Sequence, residues 1–234
     1  NLESNRAALD LILVAIENLI GSASNDTLVG SDANNRIEGG EGAGKSTHSK
    51  RLAEYLQSLG HEVVLTREPG GTPTAEKIRN ILLDPEITDM PDHTEALLFA
   101  ASRADHAANL IRPALERGAT VICDRYFDSS VAYQGFSRGL GADKIRELSL
   151  WATGNLIPDF TIYLDVPHEA AEQRMDGTDR MEIQSRDFHE AVHQAFRDIA
   201  AASPYPNVVI DATAPKDDVA VAVRSAIDGV LASR

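Results

Sequence analysis

The 234-residue sequence contains one cysteine, few aromatic residues and fewer basic than acidic side chains. Because Cys123 is the only cysteine, an intramolecular disulfide is excluded, and we expect it to pack as a small apolar side chain in a reducing compartment. Lysine and arginine number 22 against 36 aspartates and glutamates, and the net charge of -14 argues against binding to nucleic acid or anionic membranes. The apolar run LILVAI at residues 11–16 is too short to span a bilayer. These features predict a soluble, cytoplasmic protein.

The length allows one α/β domain with a full core, and 43% apolar with 25% charged residues is typical of a folded chain. From residue 45 onward, helical and strand patterns alternate, as βαβ units require. Predicted strands lie at residues 62–66, 120–124, 160–166 and 207–212. Predicted helices lie at residues 46–60, 75–83, 91–118, 128–135, 142–154 and 217–231. The pattern predicts the α/β class, with a parallel sheet between two layers of helices.

Residues 1–37 follow a different rhythm, a nine-residue period that is rich in Gly, Asn, Asp and Ser. The period begins at Gly21, Gly30 and Gly39. It resembles the calcium-binding nonapeptide repeats of secreted RTX proteins, although Asp26 is the only aspartate in a ligand position. Two degenerate repeats lack the stacked neighbours that would bury a core. We therefore predict a flexible arm at residues 1–37 and a second, folded domain at residues 38–234.

A phosphate-binding P-loop follows directly, because Gly39 is also the first residue of the motif GxxxxGK[ST] that ends at Ser46. A helical pattern follows the motif, as expected. The preceding NNRIE, residues 34–38, supplies one apolar residue where a central parallel strand needs a continuous apolar run. The first strand is therefore atypical. One hypothesis is that LILVAI docks as a substitute central strand.

From Glu38 nearly to its end, the chain resembles thymidylate kinase of the bacterial type. The motifs that carry the resemblance are EGGEGAGKST, TREPGGTP, EKIR, TEALLFAASRADH, DRYFDSSVAYQG, PDFTIYLDV and DRME. The resemblance implies a P-loop nucleoside monophosphate kinase fold with a short lid. It also implies transfer of the ATP γ-phosphoryl group to dTMP, with Mg²⁺, in a homodimer. The whole chain is then an apparent chimera that joins at the shared GGEGA.

Binding of ATP is assigned to the P-loop, where backbone N–H groups and a lysine neutralise phosphate charge. The ATP-binding residues are Gly39, Gly40, Glu41, Gly42, Ala43, Gly44, Lys45, Ser46 and Thr47. The candidate Mg²⁺ ligands are Ser46 and Asp124, which ends a predicted strand; the alternative for Asp124 is a helix cap. Lys45, Asp124, Arg125 and Arg180 are the candidate catalytic residues.

The resemblance implies a dTMP site built by residues from four motifs. Arg79 and Arg125 would hold the phosphate, and Glu41 would reach the deoxyribose 3′-hydroxyl. Phe99 would stack on thymine and Arg103 would reach a carbonyl on its edge. Around the remaining base edge and the sugar stand Ser130, Gln134 and Tyr133. Read without the resemblance, Phe99 is a core residue and Arg79 is a solvated charge.

The lid segment EQRMDGTDRME, residues 172–182, is shorter and less basic than the resemblance leads us to expect. Its arginines are Arg174 and Arg180, of which Arg180 is the first candidate for stabilising charge during transfer and Arg174 the second. The alternative for Arg180 is a salt bridge to Asp179 or Glu182. The turn that contains Glu68 and Pro69 is a candidate for a cis peptide bond.

Two other functions remain open at this point. The nine-residue period supports a calcium-binding or structural chimera with an inactive kinase body. The P-loop alone is also compatible with a kinase that acts on another nucleoside monophosphate.

Overall fold

The computed structural model describes residues 13–18, 45–167 and 179–232, and the backbone alone for the first of these ranges. Within these ranges, five parallel strands form one sheet in the order β2-β3-β1-β4-β5. The strands are β1 (Leu13–Asn18), β2 (Val63–Arg67), β3 (Thr120–Asp124), β4 (Phe160–Asp165) and β5 (Asn207–Asp211). The four strands predicted downstream of the P-loop are all present.

The central strand β1 comes from the apolar run near the start of the chain. It pairs with β3 from Leu13 opposite Val121 to Ile16 opposite Asp124, and with β4 on its other side. The docking hypothesis is confirmed for residues 13–16, which lie in β1 between β3 and β4. A strand between two parallel neighbours needs a continuous apolar run, and LVAI supplies it. The predicted division after residue 37 therefore does not hold for β1. The other residues of the predicted arm, including 34–38, lie outside the described ranges.

Helices fill the connections between the strands. They are α1 (Lys45–Ser58), α2 (Pro73–Leu83), α3 (Asp92–His106), α4 (Arg112–Glu116), α5 (Phe127–Ser130), α6 (Ala142–Thr153), α7 (Arg186–Ala202) and α8 (Lys216–Ala232). Two π-helical segments, Ala107–Ile111 and Val131–Ser137, join α3 to α4 and extend α5. None of the helices in the described part of the chain combines the length and apolar character that a membrane crossing requires.

The core lies in two layers, one on each face of the sheet. Alternate residues of a strand point to opposite faces, so Ile122 packs against α1 and α8 while Val121 and Cys123 pack against the other layer. Cys123 is fully buried, as predicted. The helix α7 was not predicted, although Val192, Phe196 and Ile199 form its buried face at helical spacing. The predicted layered fold is confirmed, and its parallel strands bring their carboxyl ends to one edge.

Candidate active site

The edge formed by the carboxyl ends of the strands carries the start of α1. Lys45 begins this helix and is buried, and the hydroxyl of Ser46 donates a hydrogen bond of 2.9 Å to Oδ2 of Asp124 at the end of β3. The structure therefore brings together the two predicted Mg²⁺ ligands. The positive end of the α1 dipole adds to the charge of Lys45 at this position. Lys45 and the start of α1 favour a bound anion, and the oxygens of Ser46 and Asp124 favour a cation beside it.

Part of the predicted nucleotide site lies outside the described residues. This part comprises the P-loop residues 39–44, with Glu41, and the lid arginine Arg174. Their assignments stay predictions. Thr47, the last residue of the predicted ATP site, lies exposed in the first turn of α1.

A cavity of about 840 Å³ opens beside the Ser46–Asp124 pair. Its lining includes Ser46, Arg67, Arg79 and Asp124. Arg79 is buried, and its Nη1 donates a hydrogen bond of 2.9 Å to the carbonyl oxygen of Pro69. The Glu68–Pro69 peptide bond is cis, as the sequence suggested. Arg79 is therefore not a solvated surface charge but a fixed cation in the wall of the cavity.

Arg125 has a backbone conformation that is rare for a residue with a side chain. Its φ is 66°, in the left-handed region that costs about 1–2 kcal/mol for L-residues. The thiol of Cys123 donates to its carbonyl oxygen over 3.0 Å, and its Nη1 donates to Oγ of Ser129 over 3.1 Å. Its guanidinium lies 5.5 Å from the centre of the Tyr133 ring. Strain of this kind concentrates at functional sites, which agrees with the predicted role of Arg125.

Asp179 is a buried carboxyl group near these two arginines. It is fully buried, and its Oδ1 accepts hydrogen bonds from the backbone N–H groups of Met181 and Glu182. Burial raises the pKa of its carboxyl group, while those two hydrogen bonds and the charges of Arg79 and Arg125 act in the opposite direction. Arg79 and Arg125, the two predicted phosphate ligands, therefore both lie within electrostatic range of Asp179. Sequence reasoning assigned Asp179 no role at this position.

The predicted base-binding residues lie on α3 and on the helix that follows β3. Phe99 is half-buried, whereas Arg103 is only 2% exposed. The Nε of Arg103 donates to Glu68 over 2.7 Å, and its Nη2 donates to Oγ of Ser130 over 3.0 Å. Two of the predicted base ligands are thus in direct contact. Arg103 is fixed by an ion pair that sequence reasoning did not find.

Glu95 is a second buried acid that the sequence analysis missed. It accepts a hydrogen bond of 2.9 Å from Nε2 of Gln134 and forms ion pairs with Arg138 and Arg180. Glu95, Phe99 and Arg103 are spaced by four residues, so they share one face of α3. This spacing is the sequence signal that could have identified Glu95, because it places an acid on the helix face that carries two candidate base ligands.

Arg180 is held differently from either sequence-based expectation. Its Nη1 lies 2.7 Å from Oε2 of Glu95, and its Nε donates to the carbonyl oxygen of Leu82 over 2.8 Å. Its side chain is 7% exposed. The expected salt bridge does form, but with Glu95 rather than with Asp179 or Glu182. The catalytic role of Arg180 stays a prediction. Its contacts tie it to Glu95 of α3 and to the backbone of Leu82 in α2.

The order of the parallel strands, the lysine at the start of α1 and the Ser46–Asp124 pair define a P-loop kinase of the nucleoside monophosphate type. The family model for thymidylate kinase matches residues 37–223. The chain belongs to the thymidylate kinase family.

Individual relatives agree with this assignment. The chain is 49% identical to a thymidylate kinase of Clavibacter michiganensis over 201 residues, which cover 84% of this chain and 95% of the relative. It is 46% identical to a thymidylate kinase of Symbiobacterium thermophilum over 200 residues, which cover 85% and 94%. The crystal structure of thymidylate kinase from Ehrlichia chaffeensis superposes with a TM-score of 0.69 at 29% identity, covering 92% of this chain and 98% of that one. The likeness therefore extends over nearly the whole length of these proteins.

Proposed function

We propose that the chain transfers the γ-phosphoryl group of ATP to dTMP, giving dTDP and ADP. An oxygen of the dTMP phosphate forms the new bond to phosphorus, and the bond between this phosphorus and the oxygen that bridges to the β-phosphate breaks. The observation that carries the proposal is the cavity in which the Ser46–Asp124 pair and the cation of Arg79 face the same space. Such a cavity holds two phosphorylated substrates against each other.

The cationic groups divide between the two substrates. Lys45 and the P-loop N–H groups hold ATP, while Arg79 and Arg125 hold the dTMP phosphate. A hydroxyl and a carboxylate are oxygen ligands of the type that Mg²⁺ prefers, so Ser46 and Asp124 fit this ion. When bound, Mg²⁺ supplies positive charge to the phosphate oxygens. The protein positions the reactants and neutralises charge, with no covalent nucleophile of its own.

The face of α3 that carries Phe99 and Arg103 is the proposed thymine site. Phe99 offers a flat apolar surface, and Arg103 and Ser130, already in contact, stand at the base edge. Gln134 completes the edge, and Tyr133 and Glu41 stand on the sugar side. For the lid, Arg174 is now the better candidate, because the Arg180 guanidinium is bound by Glu95 and Leu82.

A coupled ADP-release assay with dTMP, dUMP and dGMP tests the substrate. We expect turnover with dTMP to exceed that with the other two, and chelation of Mg²⁺ by EDTA to abolish it. A preference for dGMP would favour the alternative kinase function. Shifts of the melting temperature on adding ligand distinguish the kinase from the calcium-binding alternative. Stabilisation by Ca²⁺ but not by dTMP or Mg·ATP would contradict the proposal.

We further propose that the protein is a homodimer, as the resemblance implied. Three neighbouring helices each expose a large apolar side chain, namely Ile81 of α2 at 44%, Leu97 of α3 at 59% and Trp151 of α6 at 81%. α3 packs against both α2 and α6, so these side chains lie on adjoining helices. Large apolar side chains that are exposed on adjoining helices favour a protein interface there.

Sedimentation equilibrium is expected to give twice the chain mass of 25.3 kDa. Trp151→Glu should shift the mass toward one chain, because it places a charge in an apolar interface. Val221→Glu is the matched control, since Val221 is 52% exposed on α8, in the opposite helical layer. A wild-type monomer at micromolar concentration contradicts the dimer.

A further inference from the structure

One carboxylate, Glu95, connects a candidate base ligand to two arginines. Glu95 lies on α3 and is only 1% exposed. Its Oε1 is 2.9 Å from Nε2 of Gln134 and 3.4 Å from Nε of Arg138. Its Oε2 is 2.7 Å from Nη1 of Arg180 and 3.3 Å from Nη2 of Arg138. Both oxygens are therefore used, each by at least one charged donor.

These contacts determine which way the Gln134 amide points. A carboxylate that is paired with two guanidinium groups is ionised and can only accept hydrogen bonds. The atom of Gln134 that faces it must be the amide nitrogen, because an oxygen in that position would be repelled. The amide oxygen of Gln134 consequently points away from Glu95. A buried glutamine, which otherwise presents either atom to a ligand, is thereby fixed in one orientation.

Gln134 belongs to the helical segment that follows β3, which also carries Ser130, another candidate base ligand. Gln134 follows Ser130 by four residues, and Ser130 accepts from Arg103. Arg103 has only donors, which suit a carbonyl, and the Gln134 oxygen is an acceptor, which suits an N–H. Thymine offers a ring N–H beside a carbonyl. Cytosine offers an unprotonated ring nitrogen beside an amino group, the opposite pattern.

We propose that Glu95 is a positioning residue that holds the Gln134 amide with its oxygen toward the nucleobase and so favours thymine over cytosine. The inference rests on the proposed function, because it takes the base site to lie along this face of α3. Glu95 acts through Gln134 and does not itself touch the substrate.

The substitution Glu95→Gln reverses the constraint without changing the size of the side chain. The carbonyl oxygen of the new glutamine belongs beside Arg180, the shortest charged contact. Its amide nitrogen then faces Gln134, which must rotate to present its oxygen there. The nitrogen of Gln134 would point toward the base, a donor that suits cytosine rather than thymine.

The test is the ratio of kcat/KM for dTMP to kcat/KM for dCMP. We expect this ratio to fall by about tenfold or more in Glu95→Gln, as for the loss of one matched hydrogen bond in a recognition site. The ratio does not depend on the fraction of enzyme that is folded, so a loss of stability leaves the readout intact. If dCMP turnover is too slow to measure, the ratio of inhibition constants for dCMP and dTMP replaces it.

Arg138→Met is the matched control, because it removes an ion pair to Glu95 and leaves the Gln134 hydrogen bond in place. Its ratio should stay within about twofold of the wild-type ratio, since the amide remains oriented. An unchanged ratio in Glu95→Gln, or an equal fall in Arg138→Met, overturns the inference. Absence of dTMP turnover in the wild type would instead overturn the proposed function, and the binding ratio from thermal shifts would still test Glu95.

Discussion

Replacement of Lys45 by alanine is expected to reduce phosphoryl transfer from ATP to dTMP to background. The lysine begins α1 and is buried next to Ser46, and the proposed function assigns its positive charge to the ATP phosphates. Loss of one preorganised charge-stabilising group costs on the order of 100- to 1000-fold in rate. The coupled ADP-release assay at saturating dTMP measures this effect directly.

Arg117→Ala provides the control for this substitution. Arg117 is 49% exposed and pairs with Glu62. Glu62 lies just before β2 and Arg117 just before β3, at the edge of the sheet opposite Asp124. Its removal should leave turnover within about twofold, because an exposed ion pair contributes little to stability. Circular dichroism should be unchanged for both variants. Full activity in Lys45→Ala would remove the P-loop from the mechanism.

Most of the sheet was predictable, because its strands carry the signal that burial requires. TVICD and FTIYLDV are continuous apolar, β-branched and aromatic runs, and they form β3 and β4 with both faces covered. The helix α7 was missed even though its apolar positions recur at helical spacing. It follows the lid, where the motifs of the resemblance end, so the helical spacing of its apolar residues is the signal that predicts it.

The location of β1 was open in the sequence for a physical reason. A P-loop motif predicts its strand immediately upstream, yet residues 34–38 lack the apolar run that a central position demands. Residues 13–18 satisfy this demand at a larger sequence distance. Local adjacency and burial therefore pointed to different segments, and the structure follows burial.

Within the site, residue identities were predictable but charge partners were not. Ser46 and Asp124 belong to recognisable motifs, and they lie in contact. Glu68 contacts Arg103, and Glu95 contacts Gln134, each more than thirty positions away in the chain. No local pattern encodes such pairs, since they form only when segments distant in the chain pack together. Arg180 was assigned to catalysis because the resemblance implies arginines in the lid, and its ion pair with Glu95 forms only in the folded structure.

Substitution of Ala15 by proline is expected to lower the melting temperature on the order of 10 °C. Ala15 lies in the middle of β1, opposite Cys123 of β3 and Thr161 of β4. Proline lacks the N–H of a ladder hydrogen bond and is excluded from central strands. We expect a cost similar to that of proline in a helix interior, about 3 kcal/mol. For a chain of this size, each kcal/mol shifts the melting temperature by about 2–4 °C. Thermal unfolding followed by circular dichroism measures the change.

Ala15→Gly separates the backbone effect from loss of the side chain. Glycine keeps the N–H and should cost only about 0.5–1 kcal/mol, so its melting temperature should lie close to that of the wild type. Limited proteolysis provides a second readout, because a paired β1 protects residues 13–18 and the proline variant should expose them to cleavage. A flexible arm would predict the reverse, with equal melting temperatures for all three proteins and rapid cleavage in the wild type. That result would remove β1 from the sheet and leave β3 and β4 without the strand that joins them.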